Sequence, residues 1–368
     1  MKRLIICCDG TWNRPDQVDQ GVAAPTNVAK IALALADEDS AGNPQFLHYE
    51  AGVGTRRHER ILGGAFGVGL SRNVQDAYRF LVDNYEPGDK LYLFGFSRGA
   101  YTARSTVGLV RNSGILRPEH RHRIKDAYAL YRNPSKDSEP SGIAAELFRR
   151  SYSHSEIYVD FVGVWDTVGA LGIPIDGFRP PILSRLWTFH DTTLSRYVLN
   201  AYHAIAIDEQ RRPFRPTLWV KKDDAKNQTL EQVWFTGAHC DVGGGYRNPG
   251  LSEIPLLWMA EKARNCGLAF KPDHLVVRNA VIDAKARRAG ENVTPDYGAE
   301  LRNSRTRFYR LLPPYDRRLA GDEGADVDGG ALASSARTRY DNDGGYRPAG
   351  LPEWLAAGKH ITLVRDGR

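Results

Sequence analysis

Along this chain, short apolar runs alternate with stretches of helical periodicity. Residues 4–8, 45–49, 90–94, 158–165 and 232–236 are the apolar runs, and most of them end in loops containing Gly or Asp. Strands buried on both faces of a parallel sheet read this way. Between them, apolar positions recur at helical spacing over 26–35, 71–85, 100–110, 143–150 and 251–266, the first opened by a capping Thr26 or Asn27. Alternating strands and helices predict an α/β fold, a mostly parallel central sheet with helices on both faces. Three stretches depart from the alternation. Residues 117–150 are basic and His-rich before they turn helical, which reads as an insertion. Residues 173–197 hold Pro174, Pro180 and Pro181 beside Ile182, Leu183, Leu186, Trp187 and Phe189, which fits either a cap over a pocket or an ordinary packed helix pair. Residues 319–345 read as a mobile loop. A chain of 368 residues accommodates all three as elaborations of one domain spanning 1–368.

Composition narrows the function. Lys and Arg number 50 against 44 acidic residues, and the excess of +6 is interspersed rather than clustered. Nucleic acid is therefore not an expected partner, and an anionic surface or substrate fits better. Cys7, Cys8, Cys240 and Cys266 form no CxxC pair and no His/Cys ligand spacing, so neither a disulfide framework nor a structural zinc site is expected. No cofactor or metal is called for. The first apolar run stops at Asp9, too early for a signal-peptide core, and no uncharged run approaches the roughly 18 residues of a membrane helix. The expectation is a protein that is cytoplasmic as synthesised, leaving open peripheral membrane contact and export by a specialised secretion machine.

The chemistry concentrates in Gly95-Phe96-Ser97-Arg98-Gly99. A GxSxG pattern alone is a weak signal, but here a Pro87-Gly88-Asp89 turn and a buried strand precede it and a helix opens after it. Strand, sharp turn and helix are the setting of a nucleophile elbow, in which small residues on either side of a strained Ser let strand and helix approach. Ser97 is the candidate nucleophile, and the N–H of Arg98 is the expected first oxyanion donor. The acid and the base of such a site follow the Ser in chain order, each at a later strand end. Asp166 follows Val162-Gly163-Val164-Trp165, and His239 follows Val233-Trp234-Phe235-Thr236 within Gly237-Ala238-His239-Cys240-Asp241-Val242-Gly243-Gly244-Gly245-Tyr246. His239 would take the Ser97 proton while Asp166 fixes its tautomer. His203 is the rival base, in helix-like apolar surroundings that suit a supporting role. Asp241 is a rival acid or a loop-capping Asp. The loop Asp9-Gly10-Thr11-Trp12-Asn13 would supply a second oxyanion donor from Gly10 or Thr11. The Gly-rich stretch after residue 50 would shape the same rim, and that at 63–69, lacking a Gly-Lys-Ser/Thr ending, reads as a cover rather than a phosphate loop.

Taken in order, the Asp9-Gly10-Thr11-Trp12-Asn13 loop, the Gly95-Phe96-Ser97-Arg98-Gly99-Ala100 turn, Val162-Gly163-Val164-Trp165-Asp166-Thr167-Val168-Gly169 and the Gly237–Tyr246 motif resemble the family of the type VI secretion phospholipase effectors of the first lipase class. The resemblance runs from Leu4 to about Tyr346-Arg347-Pro348. It implies an α/β-hydrolase core, a Ser97, Asp166, His239 triad, acyl-ester hydrolysis of phospholipids, and a secretion-system or immunity partner. Two departures limit it. Cys240 stands where many relatives have Ser, and Ala333-Ser334-Ser335-Ala336 replaces a segment that carries a His in many relatives, so no base is expected from that region.

The runner-up readings are a small-molecule or polymer esterase with the same triad and a catalytically silent interaction module. A more distant one is a phosphatase built on Cys8-Asp9-Gly10-Thr11, which resembles part of an Asp-x-Asp-Gly-Thr signature. Cys7 stands where that chemistry needs its nucleophilic Asp. A lipid or other ester remains the expected substrate.

Overall fold

In the computed structural model the described residues are 1–11, 13–52, 65–155, 157–169, 192–222, 225, 227–277, 292–320 and 327–365. Eight strands form one sheet: β1 (Arg3–Cys8), β2 (Gln45–Glu50), β3 (Lys90–Phe96), β4 (Phe161–Trp165), β5 (Asn200–Ala206), β6 (Thr229–Phe235), β7 (Gly330–Ala333) and β8 (Ile361–Thr362). Their spatial order is β8-β7-β6-β5-β4-β3-β1-β2, and every pairing is parallel. Both faces are covered, so the strands alternate between two cores. Leu4, Ile6 and Cys8 face one, Ile5 and Cys7 the other; Leu91 and Leu93 oppose Tyr92, Phe94 and Phe96 in the same way.

One face carries α2 (Ala65–Asn84), α3 (Arg98–Ser113), α4 (Ile124–Arg132) and α5 (Ile143–Tyr152). The other carries α1 (Asn27–Ala34), α6 (His239–Gly243), α7 (Gly250–Asn265), α8 (Ser334–Asn342) and α9 (Leu351–Ala356), packed around Trp165, Trp234, Trp258 and Trp354. The chain leaves β1 through α1 on one face and leaves neighbouring β3 through α3 on the other. Their ends therefore flank a topological switch point, the crevice where ligands of open α/β sheets bind.

The expected strands and helices appear close to their expected limits, and two expectations change. The 200–206 segment, read as helix-like, is the central strand β5, because Ala201-Tyr202-His203-Ala204 is buried between β4 and β6 rather than on one side. Of the stretch read as a loop over 319–345, residues 330–342 are regular: Ala331, Leu332 and Ala333 are buried as β7 against β6, and α8 follows directly. The basic 117–150 stretch holds α4 and α5, packed against α3. Residues 173–191 of the expected cap, 53–55 of the rim and 63–64 of the glycine-rich cover lie outside the described residues; 65–69 open α2.

Candidate active site

All eight strands point the same way, so the turns after β1, β3, β4 and β6 meet at one edge of the sheet. Ser97 sits between β3 and α3 with φ 57° and ψ −121°, a conformation that a residue bearing a Cβ adopts only under strain. What holds it there is close packing that only glycine permits. A Cβ on Gly95 would lie 2.6 Å from the Cα of Ala100, and one on Gly99 would lie 2.1 Å from the carbonyl oxygen of Cys8. Strand and helix thus touch through bare backbone, and the first turn of α3 presents N–H groups with no intrahelical partner beside Ser97.

Asp166 also has a left-handed backbone, φ 39°, and its side chain is fully buried. Its Oδ2 lies 2.5 Å from Nδ1 of His239, the first residue of α6, which is 4 % exposed. The imidazole in turn lies against Phe96, the neighbour of Ser97, with ring centroids 4.6 Å apart, and edge-on to Phe214 at 5.0 Å. The structure therefore joins Asp166 to His239 and places Ser97 at the same edge of the sheet, next to the Phe96 that packs on the imidazole; the Asp–His contact is the one a general base needs.

Electrostatics sharpen the roles. Burial alone would push the Asp166 carboxyl up, but the Arg317 charge and the contact with His239 outweigh it and hold the group far below the usual carboxylate range. Burial lowers the His239 imidazole, Asp166 opposes part of that, and Arg211 adds to it. Ionised Asp166 beside neutral His239 is the pairing that accepts a proton. The adjacent Cys240 thiol is pushed up to about 12, chiefly by burial, so it stays protonated at neutral pH and offers no rival thiolate.

The secondary candidates sort differently. His203 does not face the crevice: its Nε2 accepts the Thr167 N–H at 3.1 Å, its Nδ1 lies 3.3 Å from Oε1 of Gln232, and burial with the nearby Arg104 pushes it down to about 3. It props the turn that carries Asp166. Asp241 caps its own loop, accepting the Ala238 N–H at 3.0 Å and pairing with Arg302 at 3.4 Å. Asp9 accepts from Gly10 N–H at 2.7 Å, Thr26 Oγ1 at 2.8 Å and Tyr49 OH at 2.5 Å. With both carboxylate oxygens engaged, it organises the loop and is not presented as a nucleophile. That same bond corrects the assignment of Gly10, whose N–H is committed to Asp9 and is not free for an oxyanion. Gly10 instead lets the loop close on the elbow, where an added Cβ would approach that of Ser97 to 3.4 Å. Thr11, whose N–H has no acceptor among the described residues, is the remaining donor of the two. No group of three or more potential metal ligands occurs among the described residues.

Sequence reading missed the charged frame around His239. Arg317 reaches Asp166 with both terminal nitrogens, at 2.6 and 3.1 Å. Glu209 accepts the His239 N–H at 3.3 Å and is held by Arg211 at 2.8 and 2.9 Å and by Ser304 at 2.8 Å. Both arginines come from polar, Arg-rich stretches with no motif of their own, so nothing in the one-dimensional pattern marked them.

Residues 2–262 match the model of a protein family described as the catalytic domain of Tle1-like phospholipase effectors of the type VI secretion system. The chain belongs to this family. It is also 30% identical, over 235 residues, to the uncharacterized protein YEL023C of Saccharomyces cerevisiae, covering 58% of this chain and 32% of that protein. Among solved structures it is similar to an uncharacterized protein from Pseudomonas aeruginosa, with 18% identity, a TM-score of 0.42 and coverage of 73% of this chain and 46% of the other. It is similar too to the Tle1 effector bound to the VgrG spike of the type 6 secretion system, with 18% identity, a TM-score of 0.33 and coverage of 66% and 51%. The chain thus spans about a third of the yeast relative and about half of each solved structure. Among the described residues, no helix is long and apolar enough to cross a membrane.

Proposed function

We propose that this member of the Tle1-like family is a serine hydrolase that cleaves acyl esters of lipids, phospholipids foremost. The observation that carries the reading is the 2.5 Å contact between His239 and Asp166, made beside a Ser97 held strained between β3 and α3. In this mechanism Asp166 fixes the His239 tautomer so that Nδ1 keeps its proton and Nε2 accepts one. Ser97 attacks the ester carbonyl as His239 takes its proton, and the developing oxyanion is met by the N–H groups of Arg98 and Thr11. The imidazolium then protonates the leaving alcohol, leaving an acyl group on Ser97 that water removes by the same base. The effector family adds delivery by a type VI secretion apparatus, and a partner within it, to the proposal.

The test is turnover of p-nitrophenyl esters of graded acyl length and of phospholipid vesicles by wild type and Ser97→Ala, with and without chelator. The reading expects turnover that chelator leaves unchanged and that Ser97→Ala abolishes. Wild-type activity that survives in Ser97→Ala would overturn it, and turnover confined to short soluble esters would move the substrate from lipid to small ester.

A further inference from the structure

His239 stands between two buried ion pairs of opposite arrangement. On its Nδ1 side Asp166 is gripped by Arg317, and on its backbone side Glu209 is gripped by Arg211. Each acid that contacts His239, Asp166 at the ring and Glu209 at the main-chain N–H, therefore has its own guanidinium partner. Arg317 is the less ordinary of the two. It lies beyond the stretch matched by the family model. It is 2 % exposed, and its fork reaches Oδ1 and Oδ2 of Asp166 at 2.6 and 3.1 Å while also donating to the carbonyl of Ala206 at 2.7 Å and to that of Phe214. Asp166 Oδ1 accepts in addition the Ala206 N–H at 3.0 Å. The carboxylate is thus fixed in plane by donors from two directions, and its second oxygen is left in line with His239.

We propose that Arg317 is a positioning residue of the hydrolytic reaction, a guanidinium fork that sets the plane of the Asp166 carboxylate and takes up part of its negative charge. The inference rests on the proposed function of the same site. It has two separable consequences. The fork geometry holds Asp166 where it can orient His239, which affects the chemical step without touching substrate. Its positive charge offsets Asp166, so the imidazole gains less from its acid than it would from an isolated carboxylate, and His239 stays neutral to lower pH. The other charged groups near His239 are Glu209 and Arg211, which pair with each other and stay in place when residue 317 is changed; against the effect of burial, the Arg317 charge also helps to lower the Glu209 carboxyl, after the larger effect of Arg211.

Sign and size follow. In Arg317→Met the Asp166 charge is uncompensated, imidazolium is favoured, and the acidic limb of kcat/KM moves to higher pH by about one unit. The loss of positioning lowers kcat by about 10- to 100-fold with KM little changed. Arg317→Lys keeps the charge but not the fork, so its limb returns near that of wild type while kcat stays reduced. The experiment is the pH profile of ester hydrolysis by purified wild type, Arg317→Met and Arg317→Lys, with thermal unfolding run in parallel. An alkaline shift in the Met variant that the Lys variant reverses supports the proposal. A loss of kcat with the limb of both variants at the wild-type position overturns it, as does full activity in either. Should Arg317→Met not fold, Arg317→Lys decides: kcat within two-fold of wild type overturns the proposal, and a loss of about 10-fold or more at unchanged KM supports it. If wild type itself shows no Ser97-dependent turnover, the proposed function has failed instead, which is a different outcome.

Discussion

Replacing Asp166 by Asn removes one charge from a buried pair and leaves the shape of the side chain nearly intact. Asp166 is fully buried and Arg317 is 2 % exposed, with the carboxylate bound at 2.6 and 3.1 Å. Removing one partner of a buried pair strands the other, at a cost of about 3–5 kcal/mol. Asp166→Asn is therefore expected to lose that much stability at pH 7 in urea unfolding, and to lose kcat by about 10⁴-fold, the size of the same change in a serine-protease triad, because an amide no longer enforces the His239 tautomer. The double variant Asp166→Asn/Arg317→Met separates the two losses. With no orphan cation it should regain stability relative to the sum of the single variants, a coupling of about 2–3 kcal/mol, while activity stays lost. Additive losses in the double variant would refute the reasoning, and so would an Asp166→Asn protein within about 1 kcal/mol of wild type.

Three further outcomes are expected. Gly99→Ala must push α3 off the end of β1 and should cost about 1–3 kcal/mol in unfolding and most of the activity, whereas Gly344→Ala, where an added Cβ meets nothing within 4 Å, should be neutral; equal effects would contradict the elbow packing. Burial pushes Asp9 up to about 6 against the hydrogen bonds from Tyr49, Thr26 and Gly10. Its folded form holds the proton more tightly than its unfolded form, so the contribution is full below about pH 4 and lost as pH rises through 6, worth about 3 kcal/mol. Asp9→Asn should flatten the stability profile between pH 4 and 7 by that order, and an unchanged slope would count against it. His203→Phe should cost about 1–3 kcal/mol by orphaning the Thr167 N–H yet keep the wild-type pH profile, whereas His239→Ala should abolish turnover; an altered pH limb in His203→Phe would reinstate His203 as a base.

The sheet and the three candidate residues were legible because each rests on a local pattern. A buried strand ending in Gly-x-Ser-x-Gly, or in Trp165-Asp166, leaves a signature in consecutive residues. β5 was misread because a central strand is buried on both faces, so its apolar run has no period to separate it from a buried helix. The loop reading over 319–345 followed composition, yet Gly330-Ala331-Leu332-Ala333 is held as β7 by pairing with β6, a contact about a hundred residues distant in sequence that no local pattern records. The same holds for Arg317, whose partner Asp166 is 151 residues away. Gly10 was a reasonable oxyanion donor by motif, and only the Asp9 carboxylate folding back onto its N–H removed it.

The most direct test of the central claim is covalent capture. Folded protein treated with a fluorophosphonate at neutral pH, then digested and mapped by mass spectrometry, is expected to carry one adduct, on Ser97, formed far more slowly in His239→Ala. No adduct on folded wild type, or an adduct on another residue with Ser97 unmodified, would contradict the assignment of Ser97 as the nucleophile.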